Sequence, residues 1–266
     1  MRLSLHRPRF APTLLASVCF CASLSGAPQA PSAPASGDAP PAAPPPVAEL
    51  TPLQRGDLYM ARKMFREAID MYRKAMNGTQ DYIFYNKIGI ANQHMDNYGA
   101  AKRSYDQALK VNPKYAEAHN NLGTLAYERK DYRGAIREYN RALLLNPNAA
   151  TTYSNLGTAY FARKRYEEAS KAYQHAIQLD PDVFDNSSAA GTILHERSVD
   201  ERARFFYYMA KTYAEAGMFD RALISIRKAL EEGFKDRKKF LEEPAFAGLQ
   251  ELPEFKKIMA AEPRVL

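Results

Sequence analysis

The sequence of 266 residues has two cysteines, five histidines and no tryptophan. Both cysteines, Cys19 and Cys21, lie near the N-terminus, so the rest of the chain has neither disulfides nor cysteine metal ligands. No zinc-protease, phosphate-loop or nucleophile-elbow motif occurs. The histidines beyond residue 48 are far apart: His94, His119, His175 and His195. We therefore predict a protein that is not an enzyme and holds no cofactor or metal.

Long apolar runs and a strong excess of one charge are also lacking. No stretch reaches the roughly 18 apolar residues that a membrane span requires. The 37 lysines and arginines exceed the 30 acidic residues by seven, and three of these arginines lie in the first nine residues. This modest charge gives no case for a nucleic-acid partner.

The N-terminus has the layout of a secretory signal peptide, which we assign to residues 1–27. Three arginines precede a short apolar stretch, Thr13–Leu24, which small residues follow. Cleavage after Ser25 and cleavage after Ala27 both fit the small side chains. Neither cysteine follows the small residue that lipid attachment needs, so we expect no lipid anchor. The sequence thus predicts an exported protein, periplasmic or secreted.

Residues 28–48 contain eight prolines and no apolar side chain larger than valine. Such a segment cannot bury enough surface to fold, so we predict an extended, disordered linker.

Beyond the linker, the same residue recurs every 34 residues at five positions. The ladders are Gly89/Gly123/Gly157, Ala101/Ala135/Ala169, Tyr105/Tyr139/Tyr173, Ala108/Ala142/Ala176 and Pro113/Pro147/Pro181. A fixed period of this length indicates one supersecondary unit stacked on copies of itself. Within a unit, two apolar runs at helical spacing flank a short turn, and the proline ends the second run. Glycine and alanine allow two helices to approach closely, and the tyrosine fills the space between them.

These ladders resemble the tetratricopeptide repeat family. The resemblance implies an all-α fold: a right-handed solenoid of about five helix pairs with capping helices. We place units at 49–81, 82–115, 116–149, 150–183 and 203–234, an inserted loop at 184–202 and a helical cap at 235–266. In the last unit, Ala210 replaces the glycine and Ile226 the aromatic residue. A capping box at Ser198 and Glu201 predicts that a helix starts there.

In this family the first helix of each pair lines a concave groove. The resemblance assigns the following residues to it: Asn86, Lys87, Asn120, Asn121, Thr124, Tyr127, Ser154, Asn155, Thr158, Phe161, Tyr207, Tyr208 and Lys211. Asn121 and Asn155 are equivalent, with Lys87 in register before them. An amide side chain both donates and accepts, so a row of asparagines suits the backbone of an extended peptide.

We therefore predict a non-catalytic scaffold that binds an extended segment of another envelope protein. Self-association through the repeat ends or the cap stays open, as does an assembly factor that binds carbohydrate through groove tyrosines. A clamp for a C-terminal carboxylate is disfavoured, because Ile90, Thr151 and Asn155 replace the residues it requires. We expect Glu231–Glu232 and Glu242–Glu243 to be solvated helix faces and not acid–base pairs.

Overall fold

The computed structural model describes residues 50–185 and 198–261. These residues form helices and no β-strand, which confirms the all-α prediction. Within these ranges no helix is both long and apolar enough to cross a membrane. The predicted signal peptide, the linker, residues 186–197 of the predicted insertion and residues 262–266 of the cap lie outside the described residues.

Ten of the described helices form five consecutive pairs, and the second helix of each pair also contacts the first helix of the next. The pairs are α1 (Pro52–Ala61) with α2 (Phe65–Ala75), α3 (Asp81–His94) with α4 (Tyr98–Val111), α5 (Ala116–Glu128) with α6 (Tyr132–Leu145), α7 (Ala150–Ala162) with α8 (Tyr166–Leu179), and α9 (Val199–Glu215) with α10 (Phe219–Glu231).

One residue in the left-handed region reverses the chain inside every pair. These residues and their φ angles are Lys63 (59°), Asp96 (56°), Lys130 (63°), Lys164 (60°) and Gly217 (73°). The next amide donates to a carbonyl five residues earlier, as Met64 N does to Tyr59 O at 2.9 Å. This bond is the signature of a Schellman motif, which satisfies carbonyls at a helix end. Only the last pair has glycine at this position. In the other four turns, a residue with a side chain adopts a positive φ, which is disfavoured for it.

The two helices of a pair meet where a glycine faces a tyrosine ring. A Cβ atom built on Gly89 would lie 2.3 Å from the ring of Tyr105, and one on Gly157 would lie 2.5 Å from that of Tyr173. Both rings are completely buried. Carbon atoms in contact are normally about 3.5–4.0 Å apart, so these positions have no space for a methyl group. The predicted role of the two ladders is therefore confirmed.

The last pair replaces both partners of this contact together. Ala210 and Ile226 are both fully buried and belong to one apolar cluster. Ile226 stands at the tyrosine position, and its smaller side chain leaves room for the methyl group of Ala210. The pair keeps a close helix contact with different residues.

The α8–α9 boundary is packed on both sides of the predicted insertion. Val183 is buried, and Phe184 lies edge to face with Tyr173 at 5.4 Å between ring centroids. Ser170 and Thr212 share a buried hydrogen bond of 3.0 Å between α8 and α9. Residues 199–202, which the repeat boundaries leave in the loop, instead form the first turn of α9.

That first turn of α9 begins with the predicted capping box. The Ser198 hydroxyl accepts from the Glu201 amide, and the Glu201 carboxylate accepts from the Ser198 amide, both at 3.3 Å. The prediction of a helix start at Ser198 is confirmed.

Three short helices follow α10: α11 (Lys239–Glu242), a 3-10 helix (Pro244–Leu249) and α12 (Pro253–Ala260). They pack against α9 and α10 through five buried side chains: Phe240, Phe246, Leu249, Phe255 and Ile258. Tyr207 of α9 lies parallel to Phe234 at 4.7 Å between centroids, which extends this aromatic cluster into the last pair.

Candidate functional site

The first helices of successive pairs lie side by side and form one surface. Helix α5 contacts α3 on one side and α7 on the other. Phe161 of α7 reaches α9, where it meets Phe205 and Tyr208 edge to face. We call the surface formed by α3, α5, α7 and α9 the first-helix surface. It brings together the predicted groove residues of four units.

Four asparagines on this surface form a continuous chain of hydrogen bonds. The Asn155 amide donates to the Asn120 carbonyl oxygen at 3.1 Å, and the Asn120 amide donates to Asn121 at 3.3 Å. Asn121 then donates to Asn86 at 2.9 Å. The two bonds between helices each span 35 residues, one more than the repeat. A ladder asparagine therefore bonds the residue just before the ladder position in the preceding unit.

Asn86, the last of the hydrogen-bonded asparagines, reaches the hydroxyl of Tyr115. Burial raises the pKa of Tyr115 to about 12, and a hydrogen bond from Asn86 acts in the opposite direction. Asn86 is 6% exposed, whereas Asn120, Asn121 and Asn155 are half-buried. The chain therefore runs from the interior of the helix packing out to the first-helix surface.

The half-buried amides keep hydrogen-bonding capacity for a ligand. An amide nitrogen carries two hydrogens, and an amide oxygen accepts two bonds. Within the described residues, Asn121 and Asn155 each donate only one side-chain bond. The bonds already made hold each amide plane in a fixed orientation, with one N–H unused. Spacing alone could place these asparagines in register, but it could not show that they bind one another.

Thr124 and Thr158 serve the contact between the two helices of their own units. Each hydroxyl bonds the carbonyl four residues earlier, at 3.2 Å for Thr124 and 3.0 Å for Thr158. The same hydroxyls meet the tyrosines that face the ladder glycines, Tyr139 at 3.2 Å and Tyr173 at 3.3 Å. Burial is the main cause that raises the pKa of Tyr139 above its ordinary range. These threonines are thus used by the fold.

Lys87 contacts residues of the first helix pair. Its ammonium lies 2.7 Å from Asp57 and 5.5 Å from the centroid of the Tyr72 ring. The Tyr72 hydroxyl donates to the same carboxylate at 2.8 Å. Burial and then this bond raise the pKa of Tyr72. The repeat pattern could not predict the pairing with Asp57, because the other units have no equivalent carboxylate.

The remaining predicted positions divide between core and surface. Phe161 and Tyr207 are 3% and 5% exposed, and Thr158 is also buried, so they contribute packing and not an open surface. Ser154 and Tyr127 are half-buried. Tyr127 contacts Tyr132 at 5.2 Å between centroids. A ligand on the first-helix surface would meet the half-buried side chains.

A cleft of about 250 Å³ opens where α9 meets the cap. Three of its lining residues are predicted groove residues on α9, and the others come from α8 and the cap. Its lining includes Glu167, Tyr208, Lys211, Lys239, Glu242 and Glu243. The cap, expected from sequence to be structural, therefore also forms one wall of a cleft.

Glu243 links the cap to α9. One carboxylate oxygen lies 2.9 Å from the Lys211 ammonium, and the other accepts from the Tyr207 hydroxyl at 3.2 Å. Burial lowers the pKa of Lys211, but the bond to Glu243 and nearby acidic charges outweigh it and raise that pKa. Glu243 therefore does not lie on a solvated face as expected. Glu232 also departs from that expectation, since it pairs with Arg202 at 2.8 Å.

Among the described residues, no group of three potential metal-ligating side chains is present. The histidines there are engaged singly. His94 stacks on Phe65 at 5.1 Å, and His119 lies 2.9 Å from Glu138. His175 is exposed.

Helix pairs that repeat every 34 residues define a helical-repeat protein. Models of the tetratricopeptide repeat match residues 82–115, 104–137 and 150–183, and a model described as TPR repeat matches residues 123–162. The chain is a tetratricopeptide repeat protein, as its ladders predict. A comparison with curated proteins finds no match.

Several solved structures are similar to this chain. MamA is 24% identical, with 69% of this chain and 96% of MamA covered, and the TM-score is 0.46. YrrB, titled a TPR protein with an unusual peptide-binding site, is 20% identical over 69% of this chain and 86% of its own, with a TM-score of 0.44. TTC0263, a TPR protein from Thermus thermophilus, is 19% identical over 70% of this chain and 91% of its own, with a TM-score of 0.46. Because these identities and TM-scores are low, the assignment to the family rests on the matches to the repeat models and on the helix packing.

Proposed function

We propose that this protein is a non-catalytic scaffold that binds an extended segment of a partner protein along the first-helix surface. The chain of asparagine amides is the observation that carries the proposal. An extended peptide offers a carbonyl and an amide at every residue, and these groups need partners when they leave water. Amides with unused N–H groups, held in place by their neighbours, meet that need without selecting a sequence.

Preorganisation supports this role. A flexible side chain loses rotamer freedom when it binds, which reduces affinity. Asn121 and Asn155 already bond Asn86 and Asn120, so much of that loss has occurred during folding. Their unused N–H groups lie on helices spaced by one repeat, and the segment would run across α5 and α7.

The test uses acetylated and amidated random nonapeptides on an array, because the partner's sequence is unknown. The tightest-binding peptide is then titrated by fluorescence anisotropy against the native protein and the variant N121A/N155A. Each lost amide bond to a buried peptide group costs about 1–3 kcal/mol, so the double variant should bind at least roughly tenfold more weakly. Asn140→Ala is the matched control, since Asn140 is exposed on α6 and its amide bonds its own helix at 2.8 Å.

Stability must be measured alongside, because these asparagines also bond each other. Losing Asn121 leaves the buried Asn86 oxygen without this donor, at a cost of about 1–3 kcal/mol. Unchanged affinity in a folded double variant would show that the amides serve only the fold. If no peptide binds and light scattering shows concentration-dependent oligomers, self-association is the better description.

We also propose that the scaffold functions outside the cytoplasm. The support is the basic head, the apolar stretch Thr13–Leu24 and the small residues through Ala27 in the sequence. The proline-rich residues 28–48 would then separate the repeats from the processing site.

A further inference from the structure

The charges that line the cleft between α9 and the cap do not balance. Lys211 pairs with Glu243 at 2.9 Å, and Lys239 lies 3.8 Å from Asp236, so each lysine already has an acidic neighbour. Glu167 and Glu242 also line the cleft, and neither forms an ion pair within the described part of the chain. The uncompensated charge in the cleft is therefore negative.

The negative charge of the cleft affects the pKa values of neighbouring side chains. Burial and then the charge of Glu167 raise the pKa of Tyr208. Burial lowers the pKa of Lys211, whereas the bond and charge of Glu243 and then the charge of Glu167 raise it. Burial raises the pKa of Glu215, the charge of Lys211 and a bond from Gln174 lower it, and the charges of Glu243 and then Glu167 raise it. An added cation would relieve the repulsion among these carboxylates.

Aromatic rings form another part of the lining. Tyr208 stacks on Tyr166 at 4.9 Å between centroids, and Tyr207 meets Tyr208 edge to face at 5.2 Å. A tyrosine face attracts a cation through its ring quadrupole. A space of about 250 Å³ is large enough for one long side chain and too small for a folded element.

We propose that this cleft binds an arginine or lysine side chain of the partner segment. Glu167 and Glu242 would neutralise the cation, and Tyr208 would contact it or its aliphatic stem. This inference rests on the proposed function, because it places the basic residue in the same segment that crosses the asparagines. It also gives the cap a role in recognition, since Glu242 belongs to α11.

The experiment uses the same array of random nonapeptides and the full-length protein. Peptides bound by the native protein should be enriched in arginine or lysine. The best peptide is then resynthesised with its arginine replaced by citrulline, which is neutral and of nearly equal size, or its lysine replaced by norleucine, which keeps the aliphatic stem and lacks the ammonium. The native protein should bind this neutral peptide at least tenfold more weakly.

The variant E167Q/E242Q should bind the basic and neutral peptides within twofold of each other. Glutamine keeps the size of both side chains, and thermal melts verify folding. The variant E67Q/E231Q changes the net charge equally at exposed positions away from the cleft, and it should keep the native preference.

Three results would overturn the inference. Bound peptides without basic enrichment would refute it while leaving the asparagine surface intact. An equal tenfold preference in E167Q/E242Q would show that the basic residue binds elsewhere. If the array yields no bound peptide at all, the proposed function fails and the cleft assignment fails with it.

Discussion

Replacing Gly123 by alanine should destabilise the protein, although alanine is the better helix former. Gly123 lies inside α5, where alanine would contribute up to about 1 kcal/mol of helix propensity. However, its Cβ would lie 2.6 Å from two ring carbons of Tyr139, which is 2% exposed. Normal contact requires about 1 Å more. Overpacking of this kind costs about 1–3 kcal/mol. After the gain in helix propensity is subtracted, we expect a net loss of up to about 2 kcal/mol.

Gly99→Ala is the matched control. Gly99 is exposed near the start of α4, and its nearest heavy atom would be the Arg103 Nη1 at 3.6 Å from the new Cβ. This variant should be as stable as the native protein or up to about 1 kcal/mol more stable. Thermal and urea unfolding of both variants provide the measurement, with about 2–4 °C expected per kcal/mol for a chain of this size. If Gly123→Ala gains stability as Gly99→Ala does, the close contact with Tyr139 is refuted.

Two further predictions concern pH and export. Burial raises the pKa values of Tyr72, Tyr105 and Tyr139 above the ordinary value of about 10, so the folded protein keeps protons that the unfolded chain releases. These groups should therefore leave the free energy of unfolding unchanged below a pH of about 10 and lower it as the pH rises further. Urea midpoints that stay constant above a pH of about 10 would contradict the burial of these hydroxyls. A reporter fused to residues 1–48 should cross the inner membrane and be processed near Ser25 or Ala27, and unprocessed reporter in the cytoplasm would count against export.

Apart from the capping box at Ser198, the features predicted correctly from sequence are those that repeat. The glycine and tyrosine ladders could be interpreted because each occurs three times at one spacing, and close helix contact explains both together. The turn inside each pair could not be predicted in the same way. Lys63, Lys130 and Lys164 adopt a backbone conformation that lysine disfavours, and only the surrounding helix packing imposes it.

The candidate site was only partly predictable for a related physical reason. Periodicity placed Asn121 and Asn155 in register, but the bonds to Asn86 and Asn120 depend on the offset between neighbouring helices. The cleft and the Lys87 ion pair depend on single occurrences, Glu243 in the cap and Asp57 in α1. A charge that occurs once has no spacing to interpret, so only the folded chain reveals its partner.

The spacing of the amide bonds determines how the length of this protein can change. Each bond between helices spans 35 residues, and Asn86 occupies the same place in its unit as Asn120. Deleting residues 116–149 would therefore bring Asn155 opposite Asn86, with the same pair of side chains. A deletion inside α5 or α7 would instead change which side chains face each other across the two helices. The first unit is one residue short, and its described residues form no such amide bond to the second. Lys87 instead forms an ion pair with Asp57, 30 residues earlier. Adding or removing whole repeats thus preserves the amide bonds between first helices.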